Sequence, residues 1–374
     1  MPEAGEAPPP RPRRRLSRGK RVLFALLTVV GPFALAEGFF RAREAWRVSR
    51  KRESGGEVSP REPDTFRNMV LIPGYRQEEP PSPDFPRGKL VAINSLGMRA
   101  REPALPKPPG LVRVLCVGGS STYGLFTSRN EATWPARTEA RLQAAGRQDV
   151  EVLDGGAPAW DARTSATNLD LRLWELRPDV LVICHVYNDA VANLDEQYER
   201  DSHATSPWGV WQPLRGSALF RFLVSRYHNP RDRLVHKAEA WRPEGLQAYR
   251  RNLLFLIRRA REEGARPVLV TEPVCFRPTR EESERDGVPG LARWFDELSP
   301  FTYPALLDVL AAYCEEVRKL AVEERLPLVD LARRMPHDVR LYLTPVHHSD
   351  EGEEVVAGLV AEVLQSSGVL DPPR

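Results

Sequence analysis

Short apolar runs alternate along most of this chain with longer stretches of helical periodicity. Segments 112–117, 150–153, 179–184, 267–271 and 326–330 read as strands, each an apolar run bounded by charged or turn-forming residues. Between them, 133–145, 162–176, 245–264, 303–324 and 352–365 carry apolar residues at helical spacing. The clearest is 247–264, where Leu253, Leu254, Ile257 and Ala260 share one face and Gly264 ends the pattern. Mostly apolar strands separated by helices predict an α/β fold, a three-layer α/β/α sandwich around five parallel strands. Segments 195–244 and 273–300 break the alternation with Trp, Pro, Arg and Glu, and read as lid insertions over the sheet rim.

The N-terminus has a different pattern. Residues 22–40 are apolar except for Thr28 and Glu37, with Gly31, Pro32 and Gly38 as small or breaker positions. As a helix this run would rise roughly 28 Å, about one bilayer core. Arg11, Arg13, Arg14, Arg15, Arg18, Lys20 and Arg21 precede it, which favours a cytoplasmic tail and an exported C-terminal portion. Arg41, Arg43, Arg47, Arg50, Lys51 and Arg52 follow and narrow that bias. Ala34-Leu35-Ala36 also offers a cleavage site, so a secreted protein processed near Ala36 is the rival to a single-pass anchor. The expected organisation is a basic tail at 1–21, a transmembrane anchor or signal segment at 22–40, a linker and lead-in at 41–110, and one large domain at 111–368. The prolines gather in the tail and in 73–109, which reads as extended linker.

Composition narrows the functional classes. Lys and Arg total 54 against 51 Asp and Glu, a net charge of only +3, and no basic stripe interleaved with aromatics points to nucleic acid. Four scattered cysteines make no disulfide framework and no metal-ligand spacing, and no cofactor is implied. Cys116 and Cys184 sit inside apolar strands as small core residues, while a Cys275–Cys314 bridge stays open.

The candidate chemistry lies at strand ends. Val117-Gly118-Gly119-Ser120 closes the first strand and Asp154-Gly155-Gly156 the second. His185-Val186-Tyr187-Asn188-Asp189 closes the third, and Val346-His347-His348-Ser349-Asp350 precedes the last helix. Open α/β sheets bind ligands at this carboxyl edge, and a serine there is a nucleophile once a base takes its proton. Taken alone, Gly-Gly-Ser is also an ordinary strand-to-helix turn.

In that order, Ser120, Gly156, Asn188 and His347 resemble the four blocks of the SGNH (GDSL-type) hydrolase superfamily, in its membrane-anchored bacterial form, over roughly residues 90–366. The upstream Asn94-Ser95-Leu96-Gly97-Met98-Arg99 is similar to a segment those anchored members carry. The resemblance implies a flavodoxin-like sheet, Ser120 as nucleophile and His347 as general base. It implies an oxyanion hole made by the N–H groups of Ser120 and Gly156 and the amide of Asn188. It further implies a serine esterase that removes acyl groups, often acetyl, from an envelope or extracellular polysaccharide or another ester. An acyltransferase on the same scaffold, or a non-catalytic domain that binds glycan or scaffolds an envelope assembly, are the alternatives.

Three positions depart from the family pattern. Gly119 stands where Asp is frequent, Val186 where Gly is usual, and Thr344 where an Asp normally orients the base. A hydroxyl cannot balance an imidazolium charge, so a carbonyl or a distant carboxylate is expected to hold His347, and Thr344→Ala is expected to do little. Asp338 and Asp350 are near but off that spacing. Of the remaining polar residues, Asp189 reads as a cap or loop positioner and His185 as structural. His348 is a weaker rival for the base. Glu353 and Glu354 suit a first helical turn. Trp208 and Trp211 read as lid packing, with sugar stacking as the alternative.

Overall fold

The computed structural model describes residues 17–53, 61–64, 68–82, 85, 88–195, 198, 217–219 and 237–371. Five parallel strands form its central sheet: β1 (Val112–Gly118), β2 (Val150–Asp154), β3 (Val180–Cys184), β4 (Arg266–Val270) and β5 (Leu328–Val329). Their order across the sheet is β2-β1-β3-β4-β5. Val114 pairs with Val152 on one side and with Val180 on the other, so β1 lies between β2 and β3. Val114, Leu115, Cys116, Leu181 and Val182 are fully buried, as strands covered on both faces require. Each such side chain contributes roughly 1.5–3 kcal/mol through burial.

Among the helices of the described residues are α1 (Ser120–Tyr123), α2 (Trp134–Ala144), α3 (Ala162–Leu171), α4 (Tyr187–Val191), α5 (Pro243–Glu262), α6 (Tyr303–Glu323) and α7 (Asp350–Ser366). α7 packs on α2, and α5 packs on both α3 and α6. The chain order of the crossovers reverses direction between β1 and β3, and this switch point is where an open sheet leaves a crevice at its carboxyl edge. The inward face of α5 carries Leu253, Leu256, Ile257 and Ala260, with Leu254 only half-buried, one position away from the expected stripe. The expected helix at 162–176 ends early as α3 and continues as a 3-10 turn, Leu173–Leu176.

Part of the expected linker is packed structure. Strands Arg76–Glu79 and Lys89–Ala92 pair antiparallel, and Val70, Leu71, Val91 and Ile93 form a small core with Tyr123, Ala157 and Trp160. The lead-in is thus folded against the loops after β1 and β2, because its apolar residues alternate as strands despite the prolines. All four cysteines are free and buried, so no Cys275–Cys314 bridge forms.

Inter-residue contacts divide the chain into two units, Met1–Val58 with Trp211–Asn229, and Ser59–Val210 with Pro230–Arg374. The first contains a helix over Arg18–Glu53. Among the described residues no helix is long and apolar enough to cross a membrane. The run expected as an anchor, 22–40, lies within the Arg18–Glu53 helix. The side chains of Val22, Leu23, Ala25, Leu26, Leu27 and Val29 lie outside the described residues, and the described remainder includes Thr28, Gly31, Pro32 and Glu37. Most of the expected lid at 195–244, including Trp208 and Trp211, also lies outside them.

Candidate active site

β1 ends at Gly118, and Ser120 opens α1 at the sheet's carboxyl edge. A β-carbon on Gly119 would lie 2.4 Å from Asn188 Nδ2 and 3.2 Å from the Trp160 carbonyl. Glycine at 119 lets the Asn188 amide come this close. Gly156 is equally confined, since a β-carbon there would sit 2.8 Å from Thr122 Cβ in α1.

Ser120 Oγ lies 2.7 Å from His347 Nε2, across 227 residues of sequence. On the other side of the ring, Nδ1 lies 2.7 Å from Thr344 Oγ1. For Nε2 to accept the serine proton, Nδ1 must carry the ring hydrogen and donate it to the threonine. Here the expectation that some other group holds the ring is corrected: the Thr344 hydroxyl does so itself. Residues 342–344 and 347–348 form a tight antiparallel pair with an irregular register, which brings the position three residues before His347 alongside its ring. Asp338 instead bonds Arg340, and Asp350 accepts from the backbone and hydroxyl of Ser128. Neither carboxylate reaches the base by a hydrogen bond.

The imidazole is 1% exposed and lies between two aromatic rings, Trp294 at 4.9 Å and Phe126 at 5.1 Å between centroids. This burial, assisted by neighbouring His348, lowers the His347 pKa from 6.5 to about 3. The ring is therefore neutral and able to accept a proton at any ordinary pH, while its protonated form is disfavoured. A hydroxyl partner leaves that charge unbalanced, where an aspartate would offset it.

The donors near Ser120 differ from the expected three. The Gly156 N–H donates to Asp154 Oδ1 at 2.9 Å, closing a turn onto the strand end, so this donor is already engaged. Burial pushes Asp154 well above the usual carboxylate range. The Ser120 N–H stands at the first turn of α1, where helical partners are lacking. One hydrogen of the Asn188 amide goes to the Trp160 carbonyl at 2.8 Å, leaving its second for a ligand.

Three positioning groups were given no role from the sequence, although Arg99 closes the upstream segment Asn94–Arg99. Glu272, just beyond β4, accepts the N–H groups of Val186 at 2.9 Å and Tyr187 at 2.6 Å. It thereby fixes the start of α4, which carries Asn188. A polar residue ending a buried strand at the ligand edge was the available hint. Arg99 is 1% exposed and donates to the carbonyls of Tyr123, Gly124 and Thr127, anchoring the end of α1. The third group, the Phe126–Trp294 pair, comes from segments far apart in sequence.

The remaining polar residues have structural partners. Asp189 accepts the Ala162 N–H and the Tyr198 hydroxyl, tying α3 to α4. His185 meets Ser165 Oγ at 2.9 Å, and burial lowers its pKa to about 4. His348 Nδ1 faces Glu353, whose other oxygen accepts the Trp134 N–H, while Glu354 pairs with Arg137 and Arg141.

A doubly covered parallel sheet with a serine–histidine pair at its switch point defines a serine-type hydrolase of the α/β class. The sequence matches the GDSL-like lipase/acylhydrolase family over residues 116–355, and the chain belongs to that family. It is accordingly a GDSL-type esterase/acylhydrolase. Among curated proteins none matches the sequence. Solved structures give distant likenesses. One is a lipase/acylhydrolase from Enterococcus faecalis, at 16% identity and TM-score 0.43, covering 69% of this chain and 97% of that one. Another is the acetyl xylan esterase AlAXEase, at 16% identity and TM-score 0.41, covering 68% and 99%. A third is the esterase EstA from Pseudoalteromonas sp., at 10% identity and TM-score 0.41, covering 68% and 97%. The assignment rests on the family match.

Proposed function

We propose that this esterase works through an acyl-Ser120 intermediate and deacylates, most often deacetylates, an envelope or extracellular polysaccharide, with the apolar run 22–40 as its membrane anchor. The observation that carries the chemistry is the pair of 2.7 Å contacts linking Ser120 Oγ, the His347 ring and Thr344 Oγ1. In this reading His347 Nε2 takes the Ser120 proton as Oγ attacks the ester carbonyl, and returns it to the departing alcohol oxygen. Negative charge on the former carbonyl oxygen is met by the Ser120 N–H and the free hydrogen of the Asn188 amide. Gly156 joins them only if its N–H leaves Asp154. Water then attacks the acyl-enzyme, His347 acts again as base, and the carboxylic acid is released. The polysaccharide reading and the anchor rest on the resemblance and on the apolar run flanked by basic residues.

Full-length protein in detergent, incubated with an acetylated polysaccharide, should release acetate in a Ser120-dependent manner. Acetate release unchanged in Ser120→Ala would overturn the nucleophile. Ser120-dependent turnover of a short-chain aryl ester with no release from any acetylated glycan would overturn the substrate class alone.

A further inference from the structure

The strand Lys89–Ala92 points alternate residues inward. Lys89 and Val91 are 8% and 7% exposed, while Leu90 and Ala92 are half-buried. Val91 and, beyond it, Ile93 pack with Tyr123, Ala157 and Trp160 at the loops after β1 and β2. Lys89 is therefore a cation on an otherwise apolar face, where a lysine is ordinarily paired. Its ammonium contacts two rings, Phe85 at 5.1 Å and Phe126 at 5.9 Å to the centroid, and makes no ion pair among the described residues. Glu79, opposite it in the strand pair, accepts from Gln77 Nε2 at 3.2 Å instead. Asp350 gives both its oxygens to Ser128. The ammonium is not among the sealed polar atoms that lack a partner, so its tip reaches solvent.

The position of this cation relates it to the chemistry. The Leu90 N–H donates to the Ser128 carbonyl at 2.7 Å, which holds the strand against the loop that carries Phe126. Phe126 is one of the two rings against His347, at 5.1 Å between centroids. Only that ring separates the ammonium from the base of the reaction, a gap that neighbouring sugars of one chain can span. A mostly desolvated charge without a counter-ion is costly, and aromatic faces return only part of the cost. An anion supplied by a ligand completes the pair, and the apolar surroundings strengthen their attraction.

We propose that Lys89 forms an anion subsite of the active centre, and that the ester substrate is an acylated glycan with a negative charge, a uronate carboxylate or a sulfate, on a sugar close to the scissile ester. This rests on the polysaccharide reading above and narrows its substrate class.

The test uses the full-length protein in detergent with a neutral aryl ester as reporter. The competing inhibitors are unacylated oligosaccharides of one length: an oligogalacturonate, a sulfated oligogalactan and a neutral oligogalactan. A charged oligosaccharide should inhibit wild type about tenfold more tightly than the neutral one. Whichever anion is preferred separates carboxylate from sulfate. Lys89→Met keeps the apolar stem and should erase the preference, while Lys89→Arg should keep most of it. Inhibition constants do not depend on how much active enzyme a preparation holds. In wild type the preference should also weaken as salt is raised, which decides the matter even if Lys89→Met fails to fold. No preference for either anion in wild type, a preference that ignores salt, or one that survives in Lys89→Met overturns the subsite. Equal Ser120-dependent acetate release from acidic and neutral acetylated glycans likewise overturns the subsite and keeps the polysaccharide reading. Lys89-dependent inhibition without acetate release from any acetylated glycan does the reverse.

Discussion

Replacing Thr344 by Val removes one hydroxyl and keeps the branched shape. His347 and Thr344 are 1% and 5% exposed, so water cannot take the place of the lost acceptor at Nδ1. A buried N–H without a partner costs about 1–3 kcal/mol, or roughly a 5- to 150-fold loss if felt in the transition state. The ring also becomes free to place its hydrogen on Nε2, the tautomer that cannot accept from Ser120. The expected result is a fall of about one to two orders of magnitude in kcat/KM on a short-chain aryl ester, with a matching fall in phosphonate labelling of Ser120. Thr344→Asp should act in the opposite direction on the base. A carboxylate beside Nδ1 raises the His347 pKa from its depressed value and stabilises the imidazolium. The acid limb of kcat/KM should then move to higher pH, with kcat preserved or raised. A folded Thr344→Val enzyme within twofold of wild type at every pH would refute the claim that this hydroxyl orients the base.

Other tests follow from the same geometry. A serine-reactive phosphonate should label Ser120 alone, and labelling of Ser121 with Ser120 untouched would sink the assignment. Asn188→Ala should slow turnover about a hundredfold or more in a folded protein, whereas an unchanged rate would make the side chain structural. Trp294→Ala should admit water to His347 and shift the acid limb of kcat/KM upward, towards the ordinary histidine value, since burial is the main cause of the depression. The same depression means the unfolded chain binds more protons than the native one between about pH 3 and 6.5. His347 therefore contributes stability that is present above 6.5 and is lost as pH falls through that window, which Trp294→Ala should narrow in an acid-unfolding titration. Glu272→Gln should retain more kcat than Glu272→Ala with KM little changed, because an amide oxygen can still accept from Val186 and Tyr187. Equal loss in both would exclude a positioning role.

Local pattern was enough to establish the layered α/β architecture. Runs such as Val114–Val117 and Val180–Ile183 are apolar on both faces, which only a doubly covered parallel sheet satisfies, and their ends in Gly-Ser and Asn-Asp marked one rim. The sequence also exposed the missing Asp at Thr344, because spacing along a loop is local information. What no local pattern holds is which partner a polar atom finds once distant segments meet. That Thr344 takes the ring of His347, that Asp154 engages the Gly156 N–H, and that Phe126 and Trp294 dry the base all depend on close approaches of an ångström or two. The proline-rich lead-in looked like linker for the same reason, since its apolar residues find Tyr123 and Trp160 only after the sheet has brought those loops together. Glu37 could be recognised only as an odd charge in an apolar run, because its partners at 217–219 are some 180 residues away, and chain folding alone brings them within hydrogen-bond reach.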